Sequence, residues 1–168
     1  PSIGALFLFF TKSHKENNIT VKYVALFTSL VNFFLSIYLW ILFDQSTSEF
    51  QFVEDRVWIE NLINYKVGVD GISILFIILT TFITPLCVVS VNDTIKNRLK
   101  DFLVAILIME SLMIGVFCSL DLVVFYLFFE GGLIPMFLII GIWGGEKRVY
   151  SAFKFFLYTL LGSVLMLV

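Results

Sequence analysis

LVVFYLFFEGGLIPMFLIIGI, residues 122–142, is the stretch that decides the fold. A helix needs about 20 apolar residues, at 1.5 Å rise each, to cross the hydrocarbon core of a bilayer. This run meets that length with a single acid, Glu130, near its middle. Comparable runs lie on both sides of it. Phe102–Leu120 precedes it across a tight turn, and 150–168 follows it. Further upstream lie Ile72–Val91 and Val21–Phe43, the latter with Trp40 near one end, where indole favours the membrane interface. Residues 1–10, PSIGALFLFF, are apolar but too short to span. The reading is an all-α polytopic membrane protein, one transmembrane helical region over 1–168 with about six helices. Position 1 is not Met, and GSVLMLV ends inside an apolar run, so the first and last helices are expected to be truncated.

Composition agrees. Of the 168 residues, 60% are hydrophobic and 14% charged, with twenty Phe, and mean hydropathy is +1.00. A soluble domain carries about a quarter charged residues. No basic patch with interleaved aromatics is present, which argues against nucleic acid. Cys87 and Cys118 sit in apolar runs without CxxC spacing, and read as small apolar fillers rather than a disulfide or an iron–sulfur site. His14, the one histidine, falls in a polar Lys/Asn segment and reads as a loop residue.

The connections alternate in charge. Lys12, Lys15 and Lys22 mark the first, Lys96, Arg98 and Lys100 the third, and Lys147 and Arg148 the fifth. The second, 44–69, holds Asp44, Glu49, Glu54, Asp55 and Glu60 against Arg56 and Lys66. The positive-inside rule then puts the first, third and fifth connections on the cytoplasmic or matrix side and the acidic second on the other. Within the second, Phe50 and Phe52, then Tyr65, Val67 and Val69, alternate with polar residues. That period of two predicts a short β-hairpin or flap with Trp58 and Ile59 packed inward, the alternative being an irregular loop.

Two carboxylates fall where lipid is expected. Glu110 lies in LIMESLMIG and Glu130 in YLFFEGGLIP. The turn between their helices centres near Leu120, so each acid stands roughly 15 Å from it, near the midplane and at matching depth. A charged side chain there costs about 2.5–3.5 kcal/mol on insertion scales. Such acids read as a titratable pair or relay for cations, most simply protons; the alternative is a structural acid hydrogen-bonded to a neighbouring helix. Pro135 lacks an N–H and crowds the carbonyl of Gly131, so Gly131, Gly132 and Pro135 predict a kinked or loosened turn beside Glu130, unless the proline serves packing alone. Pro85 follows Thr81 in a similar arrangement. Lys154 reads either as a lysine snorkelling to the inner interface or as a relay member, with Tyr158 and Thr159 able to hydrogen-bond across helices. Asp70 and Asp121 each precede an apolar run and are expected to cap the helix that follows.

Several strings are similar to a known family. VGVDGISILFIILTTFITP (67–85), ESLMIGVFCSLDLVVFYLFFE (110–130), LIPMFLIIGIWG (133–144) and KFFLYTLLGSVLML (154–167), with FQFVEDRVW (50–58), resemble subunit 4 of the proton-pumping NADH:ubiquinone oxidoreductase, respiratory complex I. The resemblance covers nearly all of the chain beyond residue 20. It implies the N-terminal part of an antiporter-like bundle in the membrane arm, contributing to proton translocation coupled to electron transfer from NADH to ubiquinone. It matches Glu130 to the acid of the fifth helix and Glu110 to a carboxylate often present on the fourth. In the family the fifth-helix acid pairs with a lysine of the seventh helix. The chain ends in the sixth, and Lys154 is not that lysine, so the 168 residues alone are expected to move no protons. The resemblance also implies no cofactor on this chain, with NAD, FMN, iron–sulfur clusters and ubiquinone in partner subunits. Expected partners are other membrane-arm subunits, among them other antiporter-like ones, lipids, and any separate polypeptide that supplies the C-terminal helices. A Phe-rich, Ala-poor chain fits an AT-rich organellar gene and the mitochondrial inner membrane, with a bacterial plasma membrane as the alternative. Two other functions stay open: a subunit of a multi-component sodium/proton antiporter, and a structural membrane scaffold.

Overall fold

The computed structural model describes residues 1–10, 18–44, 46–47, 49–59, 63–91, 95 and 98–167. Among them are six helices and one hairpin: α1 (Ser2–Phe10), α2 (Asn18–Leu42), β1 (Gln51–Ile59), β2 (Ile63–Val69), α3 (Gly71–Ser90), α4 (Leu99–Cys118), α5 (Leu122–Trp143) and α6 (Arg148–Leu167). Helices α2 to α6 are long and apolar enough to cross a membrane. Their outward faces carry exposed Phe27, Phe34, Leu79, Phe82, Leu138 and Leu161. An apolar belt of that extent is stable against lipid or other helices, not against water. The chain is a polytopic helical membrane protein.

Helix α4 stands in the middle, packed against α1, α2, α3 and α5, while α6 lies against α5. Leu103 and Leu107 of α4 are fully buried and meet Leu8 of α1, Ala25 and Val21 of α2, and Val88 of α3. Small residues set the closest approach. A Cβ on Gly115 of α4 would stand 2.6 Å from the ring of Phe128, and one on Gly131 of α5 would stand 3.3 Å from Leu112. The α4–α5 seam therefore depends on glycine from both sides. A buried hydroxyl pair, Ser36 and Thr81 at 2.7 Å, ties α2 to α3.

The two ends of the bundle differ as the charges require. At one end β1 and β2 pair antiparallel with Asp55 opposite Lys66, an ion pair at 3.5 Å. A register shift follows Gln51, where Phe52 takes φ 54°, as a bulge does. The Leu120 N–H donates to the Lys66 carbonyl at 3.0 Å, so β2 is stitched to the α4–α5 turn. The acidic second connection and the fourth thus share a face. The side chains of Trp58 and Ile59, expected to pack inward, lie outside the described residues. At the opposite end the Lys100 ammonium donates to the Phe9 carbonyl at 2.8 Å, and Arg148 reaches back to the Ile142 carbonyl at 2.8 Å. Each cation occupies a helix C-terminus, where unpaired carbonyls and the dipole favour positive charge. His14 and Lys96 fall outside the described residues.

Both aspartates cap. Asp121 accepts from the N–H groups of Val123 and Val124 at 2.8 and 3.2 Å. Asp70 accepts from the Ser73 N–H at 2.6 Å, and the Ser73 hydroxyl contacts the Asp70 N–H at 2.9 Å, closing a capping box at the junction of β2 and α3. The Ser73 side chain, and then its backbone N–H, hold the Asp70 carboxyl below its ordinary range. A carboxyl lowered in the folded state stabilises that state above its unfolded pKa and loses the contribution as pH falls through the lowered value. Asp70→Ala is therefore expected to cost about 1 kcal/mol near pH 7. In acid the variant and the parent should converge, and thermal unfolding in detergent micelles at both pH values measures this. A cost that persists undiminished in acid would mean that the side chain acts by packing.

Candidate functional site

Glu110 and Glu130 each lie eight residues inside the helix ends that flank the turn at Leu120, a depth of about 12 Å. They share that depth but face different neighbours. Leu103, Leu107 and Glu110 follow one another at spacings of four and three along α4, and this stripe faces α1, α2 and α3. Glu110 is 2% exposed, and neither of its oxygens has a hydrogen-bond partner. The side-chain amide of Asn32 on α2 faces it without reaching hydrogen-bond geometry, and the amide nitrogen is itself buried and unbonded. Ser111 points elsewhere, contacting Ser2 at 3.0 Å and the Leu107 carbonyl at 2.9 Å.

Glu130 lies on the face of α5 that meets α6. Phe137, two turns further along, stacks edge-on with Phe153 and Phe156 of α6. The Ser163 hydroxyl, on a residue 6% exposed, donates to Glu130 Oε1. Tyr126 stands one turn before Glu130 on the same helix, with its hydroxyl near both Glu130 and Ser163. The acid is thus half-buried at the α5–α6 interface, with the Ser163 hydroxyl as its hydrogen-bond donor. Among the described residues no hydrogen bond or electrostatic interaction joins Glu110 to Glu130.

The remaining candidates divide. Gly131 lines the α4–α5 seam and Pro135 is buried, while nothing stands within 4 Å of where a Cβ on Gly132 would be. Helix α5 runs unbroken through all three, as α3 does through Pro85. Lys154 lies on the exposed flank of α6, its ammonium 5.9 Å from the ring centre of Tyr150 and 6.0 Å from that of Tyr158, itself 70% exposed. This flank is not the one that carries Ser163. Sequence reasoning missed Tyr126, Ser163 and Asn32. Tyr126 stands four residues before Glu130, on the same helical face. Ser163 and Asn32 are isolated polar residues in apolar runs, which within a membrane are rarely idle.

Comparison with known proteins bears on the same residues. Positions 119–168 match the family described as NADH:quinone oxidoreductase/Mrp antiporter, TM. Over 147 residues, 88% of this chain and 28% of the relative, it is 61% identical to NADH-quinone oxidoreductase subunit M of Rhodobacter capsulatus. Over 169 residues, 99% of this chain and 35% of the relative, it is 52% identical to NADH-ubiquinone oxidoreductase chain 4 of Mycosarcoma maydis. The chain belongs to the subunit M/chain 4 family. It spans about a third of the length of the relatives it matches. The fold agrees with membership of the subunit M/chain 4 family: a chain of respiratory complex I from Thermus thermophilus with bound NADH superposes with TM-score 0.82 at 27% identity, over 99% of this chain and 32% of that one. The α5–α6 part that carries Glu130 and Ser163 falls within the segment matched by the family description.

Proposed function

We propose that the chain supplies part of the proton path through the membrane arm of NADH:quinone oxidoreductase, with Glu130 taking up and releasing the proton. The observation that carries this reading is the Glu130 carboxylate held within the bundle by the Ser163 hydroxyl. An acid kept at that depth on polar contacts marks an ion pathway more often than a packing element. Glu110 serves as a second titratable site at the same depth on the other side of α4. With no link between the two acids, transfer between them needs water or a movement of α4. Gly131, Gly132 and Pro135 give the backbone beside Glu130 its freedom, since the Gly131 carbonyl has no N–H at Pro135 to bond. Lys154 and Tyr158 occupy the open flank of α6 and form a relay once further helices of the antiporter-like bundle cover it.

Electron transfer is assigned to partner subunits holding NAD, FMN, iron–sulfur clusters and ubiquinone. Partners are the other membrane-arm subunits, including antiporter-like ones, and lipid. The membrane is the mitochondrial inner membrane or, given the bacterial relatives, a bacterial plasma membrane. The family description also names the Mrp antiporter, which makes sodium/proton exchange the second reading. Pumping by the purified complex in proteoliposomes separates the two. Proton uptake is expected to be undiminished when sodium is replaced by choline, and a loss of most of the uptake on that replacement would favour the antiporter.

A further inference from the structure

Ser163 has two acceptors and one proton. Its Oγ contacts both Glu130 Oε1 and the Leu160 carbonyl, the latter at 2.9 Å. A hydroxyl donates one hydrogen bond at a time and can accept others. When Glu130 is ionised, the carboxylate is the stronger acceptor and takes the Ser163 proton. When Glu130 is protonated, its own O–H can donate to Ser163 Oγ, and the serine hydroxyl turns to the Leu160 carbonyl one turn back on α6. We propose that Ser163 is a positioning residue for Glu130, reversing the direction of their hydrogen bond as the acid gains or loses its proton. This rests on the reading of Glu130 as the proton-exchanging group. No covalent bond to Ser163 is made or broken, and only the rotation of one O–H changes.

Two hydroxyls stand near Glu130, those of Tyr126 and Ser163, and Ser163 is the one that makes a direct hydrogen bond to the acid. On α6, Lys154 and Tyr158 lie on the exposed flank. From α4, Leu112 and Gly115 meet α5, and Glu110 lies on the far face. On α5 itself, Tyr126 is the other titratable group beside Glu130. The Ser163 hydroxyl is buried and directed across the α5–α6 interface. A partner that can both donate and accept keeps the carboxyl in one place through its cycle, which a lysine or a backbone N–H could not do.

The test is infrared difference spectroscopy and proton pumping on the assembled complex carrying the full-length subunit. The carboxyl C=O band of Glu130 is assigned by its disappearance in Glu130→Gln. Ser163→Ala is expected to move that band to higher wavenumber and to slow pumping about tenfold, the loss expected for a hydrogen bond to a charged group. Ser163→Thr, which keeps the hydroxyl, should restore both, and Tyr126→Phe should leave the band closer to its parental position than Ser163→Ala does. A band unmoved by Ser163→Ala, a failure of Ser163→Thr to restore it, or the absence of any Glu130 carboxyl band would overturn the proposal. Failure of the underlying reading is seen separately, as undiminished pumping by Glu130→Gln.

Discussion

Glu130→Gln is expected to lower proton pumping by the assembled complex on the order of a hundredfold while leaving assembly intact, since proton transfer by a positioned group contributes 10²–10⁴-fold. The substitution is nearly isosteric, and the amide oxygen can still accept from Ser163, so the α5–α6 contact survives. What it removes is the exchangeable proton. The comparison to make is pumping per electron pair against the amount of assembled complex. Normal assembly with pumping lost is the expected result. Unchanged pumping would leave the chain as a scaffold, and loss of assembly would mean that the acid holds α6 in place. Glu130→Asp should fall between, because the shorter side chain keeps the proton but withdraws the carboxyl from Ser163.

Glu110→Leu, by contrast, should raise stability. Both carboxyl oxygens are buried without a hydrogen-bond partner among Leu103, Leu107 and the residues of α1 to α3. A buried polar group left unbonded costs about 1–3 kcal/mol, and an apolar side chain of similar volume relieves that cost. The variant is expected to unfold at a higher temperature than the parent, by several degrees in micelles, and to pump more slowly. A structural acid would behave otherwise, because removing a side chain that bridges two helices lowers the unfolding temperature. The sign of the change therefore decides between a site kept for function at the expense of stability and one kept for the fold. Asn32→Leu, which removes the amide facing Glu110, gives an independent check.

The helices were legible because lipid leaves so few options for a backbone. Apolar runs of spanning length, with Asp70 and Asp121 at their starts, define the spans and their caps. The alternation of Phe50, Phe52, Tyr65, Val67 and Val69 pointed to the hairpin, and the structure pairs those strands. What could not be read was rotation about each helix axis. Helix α5 is apolar on every side, so no stripe reveals which face meets α4 and which meets α6. Equal depth reads as a Glu110–Glu130 pair or relay, yet depth is fixed by counting residues and facing is fixed by packing. The Leu103–Leu107 stripe takes Glu110 towards α1 to α3, and the aromatic contacts of Phe137 take Glu130 towards α6. Ser163 and Tyr126 join the site for the same reason, and neither carries a motif.

The stitch between Leu120 and Lys66 has a mechanical consequence. It pins α5 at the end nearest the hairpin, so that a swing of this helix hinges there. Glu130 lies eight residues from that hinge and Trp143 twenty-one. The carboxylate therefore travels roughly two fifths as far as the far end of the rod. A rotation about that end would shift the acid by less than it shifts the Arg148 end, so the grip of the hairpin on the α4–α5 turn bears directly on how far the carboxylate could travel.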